Sequence, residues 1–451
     1  MDPDVMNPAM STPATTDVHA PHRAPPPSGT GQSAAEVVAP LLGGLFADRV
    51  PVRFEFWDHS ALGPPDGPGT VRVHSPNAIS RMLWAPGELG VARAFVTGEL
   101  EIDGDMCRVL RELHGVVGRD LKVGLRLPLR AVRAARRLGA LGPPLPHPAV
   151  EASPHGRRHS KKRDAEVISH HYDISNDFYR FVLGPSMTYS CARFEDESTG
   201  LEAAQDSKHD LVCRKLGLNE RRGAHLLDVG CGWGSMALHA ARHYEATVVG
   251  VTLSAPQAEL ARLRVKEAGL DGQIEIRLQD YRDLRGECFD AISSIGMFEH
   301  VGAEKMGAYF STLHALLRDG GRLLNHAISV VGGSRMSRDS FIGRYVFPDG
   351  ELIDVGQVVL GMERAGFEVR DVESLREHYA RTLRAWVENL ETNWDTAVAE
   401  VGSQRARVWH LYMAASANSF DDGGISVHQV LGVKTGADGE SQMPRTRRTW
   451  G

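Results

Sequence analysis

A doubly wound, mostly parallel α/β sheet is the architecture this sequence predicts for its C-terminal part, with a smaller α+β domain before it. Three observations predict it. From residue 164 onward, five short apolar runs alternate with helix-compatible stretches: AHLLDVG (224–230), ATVVGVTL (246–253), QIEIRLQD (273–280), FDAISSIG (289–296) and GRLLNHAIS (321–329). The first run ends in LLDVGCGWG (226–234), whose glycines lead straight into the helical run SMALHAARHY. Several runs close on polar or glycine residues, and ligands of such sheets bind at the carboxyl ends of the strands.

Residues 1–34 are rich in Pro, Ser, Thr and Ala and lack an apolar core, so they read as a disordered tail and not a signal peptide. Residues 35–118 read as a small domain. Within it VRFEFWD (52–58) and TVRVHS (70–75) alternate at the strand period, ALGPPDGPG (61–69) is a turn-rich connection, and LGVARAFVTGELEIDGD (89–105) is a short helix with a Gly-rich turn. No catalytic constellation is visible there.

Residues 119–163 form a basic connector holding twelve Lys or Arg against two acids, Asp120 and Glu151. That segment is +10 in a chain of net charge −6, which leaves −16 elsewhere. Lys122, Arg126, Arg130, Arg133 and Arg137 recur at helical spacing, with Leu121, Leu125, Leu129 and Val132 on another face and Pro128 placed to kink or interrupt the helix. Such a stretch suits an anionic phospholipid surface; equally, it suits a solvated linker that packs its leucines on its own protein. GPPLPHPAVEASPHGRRHSKKR (142–163) reads as a hinge. Residues 164–435 carry the βα repeats and then a helix-rich region with FEVRDVES (367–374) as a strand candidate, and 436–451 form a C-terminal tail.

Composition bounds the function. No stretch reaches the roughly 18 apolar residues a spanning helix needs. Five cysteines, odd in number and without a CxxC pair, suit reduced thiols in the cytoplasm and argue against structural zinc; no metal ligands are expected.

The glycine-rich turn is not a phosphate loop, because no Lys follows it, and it is only loosely like the dinucleotide fingerprint. A nucleoside site without phosphates fits better, which points to S-adenosylmethionine; a tight structural turn is the alternative. The strand ends supply Asp228 with Gly230, Gly232 and Gly234, then Thr252 with Gln257, then Gln279, Asp280 and Tyr281, then Gly296, Phe298, Glu299 and His300. Asp280 could accept from an adenine amino group and Tyr281 could stack on the ring. Many nucleoside methyltransferases end the second strand in an acid that holds the ribose; Thr252 and Gln257 stand here instead. Taken alone, Glu299–His300 reads as a surface pair, His326 as a satisfied core histidine, and each aromatic as core packing.

Together, HYDISNDFYRFVLGPSMTYSCARF (171–194), LLDVGCGWG, GVTLSAPQ (250–257), LQDYRD (278–283), GMFEHVG (296–302) and RYVFPDGEL (344–352) resemble the cyclopropane fatty-acid synthase family, over roughly 165–435. That family includes the mycolic acid cyclopropane synthases and enzymes that place methyl branches on unsaturated acyl chains. The resemblance implies a Rossmann-like class I methyltransferase fold, S-adenosylmethionine as cofactor, and a cis double bond of an unsaturated, oleoyl-type phospholipid chain as acceptor. Carried over by motif, Tyr172, Tyr189, Ser190, Asp228, Gly230, Gly232, Gly234, Thr252, Gln257, Asp280 and Tyr281 surround the cofactor. Bicarbonate is the family's bound base, and its matching positions are Cys191, Glu299, His326, the backbone at Ile328, and Tyr379. The chemistry demands such a site: an alkene is a feeble nucleophile, and the cation left after methyl transfer must be kept from water.

One departure bears on the product. Cyclopropane synthases usually carry a Cys where LYMAASANSF (411–420) has Ser416. With ISVHQVLGV and MPRTRRTW, this stretch looks more like the branch that makes 10-methylene, tuberculostearic-type chains. Both outcomes begin with the same methyl transfer and differ in how the proton is lost. The expectation is therefore a 10-methylene product, with a cyclopropane as alternative and a non-catalytic lipid-binding protein as a second. A separate reductase would saturate the branch. The expected setting is cytoplasmic, peripheral to the inner face of the membrane, with no nucleic-acid partner and a homodimer left open.

Overall fold

The computed structural model describes residues 31–46, 49–120, 126–152, 163, 175–332, 337 and 339–450. Tyr172, Leu121, Lys122, Leu125, residues 1–30 of the tail and residues 153–162 of the hinge lie outside them.

The N-terminal unit opens with α1 (Ala34–Leu45), started by a reciprocal cap in which Ser33 Oγ accepts from the Glu36 amide and the Glu36 carboxylate accepts from the Ser33 amide. Ala34, placed in the tail by sequence, is therefore helical and buried. A four-stranded sheet follows in the order β2-β1-β3-β4, with β1 Arg53–Phe56, β2 Ala61–Leu62, β3 Gly69–Val73 and β4 Leu100–Gly104. Phe54, Phe56, Val71 and Val73 point inward while Arg53, Glu55 and Arg72 alternate outward, as period two requires. The turn-rich connection contributes β2, and the stretch read as a Gly-rich turn is the edge strand β4. Helices α2 (Pro76–Trp84), α3 (Glu88–Val96) and α4 (Met106–Asp120) complete the unit. Next comes α5 (Arg126–Arg137). Pro128 lies in its first turn, where a missing N–H costs no intrahelical bond, so proline starts this helix and does not kink it.

The larger unit contains α6 (Asn176–Leu183), α7 (Leu201–Lys215), β5 (His225–Val229), α8 (Ser235–Tyr244), β6 (Thr247–Thr252), α9 (Ala255–Glu267), β7 (Ile274–Leu278), β8 (Phe289–Ile295), α10 (Met306–Leu316) and β9 (Leu317–Val330). After these come α11 (Phe341–Tyr345), α12 (Val355–Arg364), β10 (Phe367–Ser374), α13 (Arg376–Thr392), α14 (Trp394–Val401), α15 (Ser403–Asp421) and β11 (Ile425–Lys434). All five apolar runs are strands. The seven-stranded order is β10-β11-β9-β8-β5-β6-β7, and only β11 runs against the rest. Strand order reverses between β5 and β8, which opens a crevice at their carboxyl ends.

The two units share one apolar cluster, in which Phe95 and Val109 are continuous with Phe178, Trp386 and Trp409. Arg93 grips Glu151 through two bonds of 2.9 and 2.8 Å, and Tyr345 donates to the same carboxylate at 3.0 Å. Asn418 of α15 donates to the Cys107 carbonyl at 2.8 Å.

Candidate active site

The crevice is built by the glycine turn after β5. Gly230, Gly232 and Gly234 all have positive φ, which a side chain resists. The Gly230 and Cys231 amides donate to the Val251 carbonyl at 2.9 and 3.0 Å, which clips the turn to β6. A β-carbon on Gly230 would meet Met297 at 3.1 Å, whereas one on Gly232 meets nothing within 4 Å. Gly234 does not border the cavity: a β-carbon there would lie 3.3 Å from Ala261, so this glycine lets α8 approach α9.

Tyr189, Ser190, Asp228, Gly230, Gly232, Thr252, Gln257, Asp280 and Tyr281 all border one cavity. Asp228 accepts from Ser293 at 2.8 Å, and its other oxygen is enclosed without a partner. Burial pushes its pKa up to about 6, against the Ser293 hydrogen bond and the charge of Lys208. Thr252 donates to Gln257 at 2.9 Å, so the pair that replaces the usual ribose-binding acid is pre-formed. Asp280 is held by Arg282, whose Nη2 lies 2.6 Å from Oδ2 and whose Nε lies 2.9 Å from Oδ1. Tyr281 packs edge-on against Tyr309, with ring centroids 5.5 Å apart.

Sequence reading missed Lys208. It is fully buried on α7, borders the cavity, and donates to Ser190 Oγ at 2.9 Å. Burial lowers its pKa to about 7. Ala204, Lys208, Leu211, Val212 and Lys215 are all buried at helical spacing, so a lysine within an apolar stripe was the available signal.

Tyr189 borders this cavity and also packs into a buried aromatic cluster. Its hydroxyl donates to that of Tyr412 at 3.1 Å, and its ring lies 5.3 Å from Trp386 and 5.7 Å from Trp409. Tyr379 packs 4.7 Å from Phe420 and 6.2 Å from Trp386. Ser416 lies one helical turn from both Tyr412 and Phe420, on the same face of α15.

Glu299 enters from the turn after β8. Its Oε1 accepts from the Ile328 amide at 2.7 Å, while Oε2 is enclosed and unpartnered. Burial raises its pKa to about 7, although part of the residue still meets solvent. The RYVFPDGEL motif clamps this turn: the Glu351 amide donates to the Glu299 carbonyl at 3.0 Å, and the Glu351 carboxylate accepts from the Ala303 amide at 3.1 Å. His326 is buried on β9; its Nδ1 meets Gln429 Nε2 at 3.3 Å, and Nε2 has no partner. Burial holds its pKa well below the usual histidine value, so the ring is neutral. Cys191 is fully buried, its thiol turned to the carbonyls of Ala192 and Leu375 at 3.2 and 3.6 Å, and burial pushes its pKa up, so it stays a thiol. The Ile328 amide, expected to face a bound anion, is occupied by Glu299.

The family model described as mycolic acid cyclopropane synthetase matches residues 159–430. A probable fatty acid methyltransferase of Mycobacterium tuberculosis is 43% identical over 406 residues, covering 87% of this chain and 93% of the relative. A cyclopropane-fatty-acyl-phospholipid synthase of Escherichia coli is 35% identical over 379 residues, covering 82% and 90%. The tuberculostearic acid methyltransferase UfaA1 of Mycobacterium tuberculosis is 32% identical over 425 residues, covering 91% and 94%. Among solved structures, the mycolic acid cyclopropane synthase CmaA1 complexed with SAH and CTAB superposes with a TM-score of 0.56 at 35% identity, covering 59% of this chain and 97% of its own. The seven-stranded sheet, the glycine turn and these matches agree: the chain belongs to the mycolic acid cyclopropane synthetase family and is an S-adenosylmethionine-dependent methyltransferase.

Proposed function

We propose that this chain methylates the cis double bond of oleoyl-type phospholipid chains and leaves a 10-methylene branch. The observation that carries the reading is the position of Tyr189, which borders the cofactor cavity and packs into a buried aromatic cluster. S-adenosylmethionine supplies an electrophilic sulfonium methyl. Gly230, Gly232, Thr252, Gln257, Asp280 and Tyr281 would seat its nucleoside, and Ser190 with Lys208 its amino-acid end. The faces of Tyr189, Trp386, Trp409 and Tyr412 exclude water and favour a cation on the acyl chain.

Glu299 and His326 fit an anionic base such as bicarbonate. Each presents an enclosed, unpartnered atom. A carboxyl raised to about 7 is about half protonated at neutral pH, and in that form it can donate a hydrogen bond. Gln429 donating to Nδ1 leaves the His326 proton on Nε2, the free nitrogen. The base supplies the means of removing the acyl-chain proton; Glu299, His326 and Tyr379 would hold it.

Ser416 supports the methylene outcome. Proton loss from the new methyl closes a ring, whereas a preceding 1,2-hydride shift yields an exocyclic methylene. A cyclopropane is the second reading, favoured by the Escherichia coli relative. The methylene product would need a separate reductase downstream. Mass spectrometry of lipids from cells expressing the chain decides: a ring-containing C19 chain with no methylene isomer overturns the product assignment.

Anionic membrane binding is part of the same proposal. On α5, Arg130, Arg133, Arg136 and Arg137 are exposed, and so are Leu129 at 68% and Val132 at 44%. The face turned to the protein uses Ala134 and Ala135, so these two apolar side chains are left for another surface. Trp84 and Leu141 are also exposed, and among the described residues no helix is long and apolar enough to cross a membrane.

A further inference from the structure

Three side chains outside the proposed chemistry converge behind the cofactor cavity. Asp206 and His209 stand three residues apart on α7, and His239 projects from α8, which packs against it. One ligand-capable atom of each lies within 4.8 Å of the other two. His239 Nδ1 is 3.9 Å from Asp206 Oδ1, too long for a hydrogen bond. The His209 and His239 rings are 5.5 Å apart and tilted by 49°, not stacked. His239 Nε2 is enclosed with no partner, in a side chain only 9% exposed. Such a nitrogen is costly to bury unless something binds it.

We propose that Asp206, His209 and His239 form a site for a divalent transition-metal ion of the zinc class. Two imidazoles and one carboxylate suit zinc, cobalt or nickel, and are too nitrogen-rich for magnesium or calcium. Three protein ligands leave a position for water, and exposed Asp206 opens the site to solvent. Burial lowers the pKa of both histidines, that of His239 to about 4, so neither ring need lose a proton to ligate at neutral pH. His243 lies one turn further along α8, its ring 4.6 Å from that of His239, on the approach to the site. The cations nearby are Lys208, whose ammonium is turned to Ser190, and Arg264; both oppose a dication and limit its affinity. His209 also borders the cofactor cavity, so the ion would sit against that cavity's wall.

The test uses the full-length chain, titrated with zinc chloride by calorimetry and with cobalt(II) by visible absorption. The wild type is expected to take up a saturable equivalent and to show the d–d bands of four-coordinate cobalt. Asp206→Asn changes an exposed side chain and His239→Gln keeps a polar group; circular dichroism and S-adenosylmethionine binding check that both fold. Each is expected to lose one equivalent, or to bind it roughly tenfold or more weakly, while weaker uptake by histidines elsewhere in the chain persists. Equal stoichiometry and affinity in the wild type and folded variants, or no cobalt bands in the wild type, overturns the site.

Discussion

Substituting alanine at two glycines of the same turn separates cofactor seating from turn-making. Gly230 and Gly232 both have positive φ, so each methyl carries a backbone cost of about 1–2 kcal/mol. Beyond that the two differ. At Gly230 the new carbon meets Met297 Cβ and Cγ at 3.1 Å, so Met297 must shift and stability falls further. At Gly232 it meets no protein atom within 4 Å, and the residue borders the cavity. Gly232→Ala should therefore fold with a loss of only about 1–2 kcal/mol, a few degrees in Tm for a protein of this size. Its methyl occupies space that a nucleoside needs, and S-adenosylmethionine binding should weaken by about a hundredfold, or roughly 2.7 kcal/mol. Denaturant melts and calorimetry on the same preparations read both quantities. Unchanged cofactor affinity in a folded Gly232→Ala protein would refute the seat: the glycine would then serve the turn alone.

Further outcomes are expected elsewhere. Glu299→Gln and His326→Ala should lower turnover by about 10²–10⁴-fold with little change in S-adenosylmethionine affinity; parallel loss of binding would move them into the cofactor pocket. Because the Glu299 pKa is raised from 4.5 to about 7, the folded state holds more protons than the unfolded chain between those values. Stability should thus fall as pH rises through that window, and Glu299→Gln should flatten the slope, read from melts across pH. Glu151→Ala strands the Arg93 guanidinium, whose side chain is 12% exposed, and should cost about 3–5 kcal/mol in denaturant melts; a loss below 1 kcal/mol would mean the pair is not holding the connector. Reversing Arg130 and Arg133 to Glu should weaken sedimentation with anionic vesicles by at least about 2 kcal/mol, and wild-type sedimentation would make α5 a linker.

Much of the cofactor side was legible because it depends on local chemistry. The runs that became β5 to β9 are short and apolar, and the glycines of 226–234 must turn sharply wherever they are placed. The second half of the sheet was less legible. FEVRDVES alternates and was recognised, but ISVHQVLGV became β11 by inserting antiparallel between β9 and β10, a pairing no local pattern dictates. The stretch at 99–104 reads as a turn until β3 offers it a partner.

What the sequence by itself determined was the strand-and-helix alternation, the glycine turn, the identity of the strand-end residues and the cationic segment, all set by neighbours within a few positions. Only the tertiary structure decided which of these residues meet. It turned Lys208 inward to Ser190, set Glu299 against the Ile328 amide, and brought Asp206 and His209 to His239 from a second helix. Burial and long-range packing govern those contacts, and burial is also what moves their protonation, so no reading of spacing along the chain could supply them.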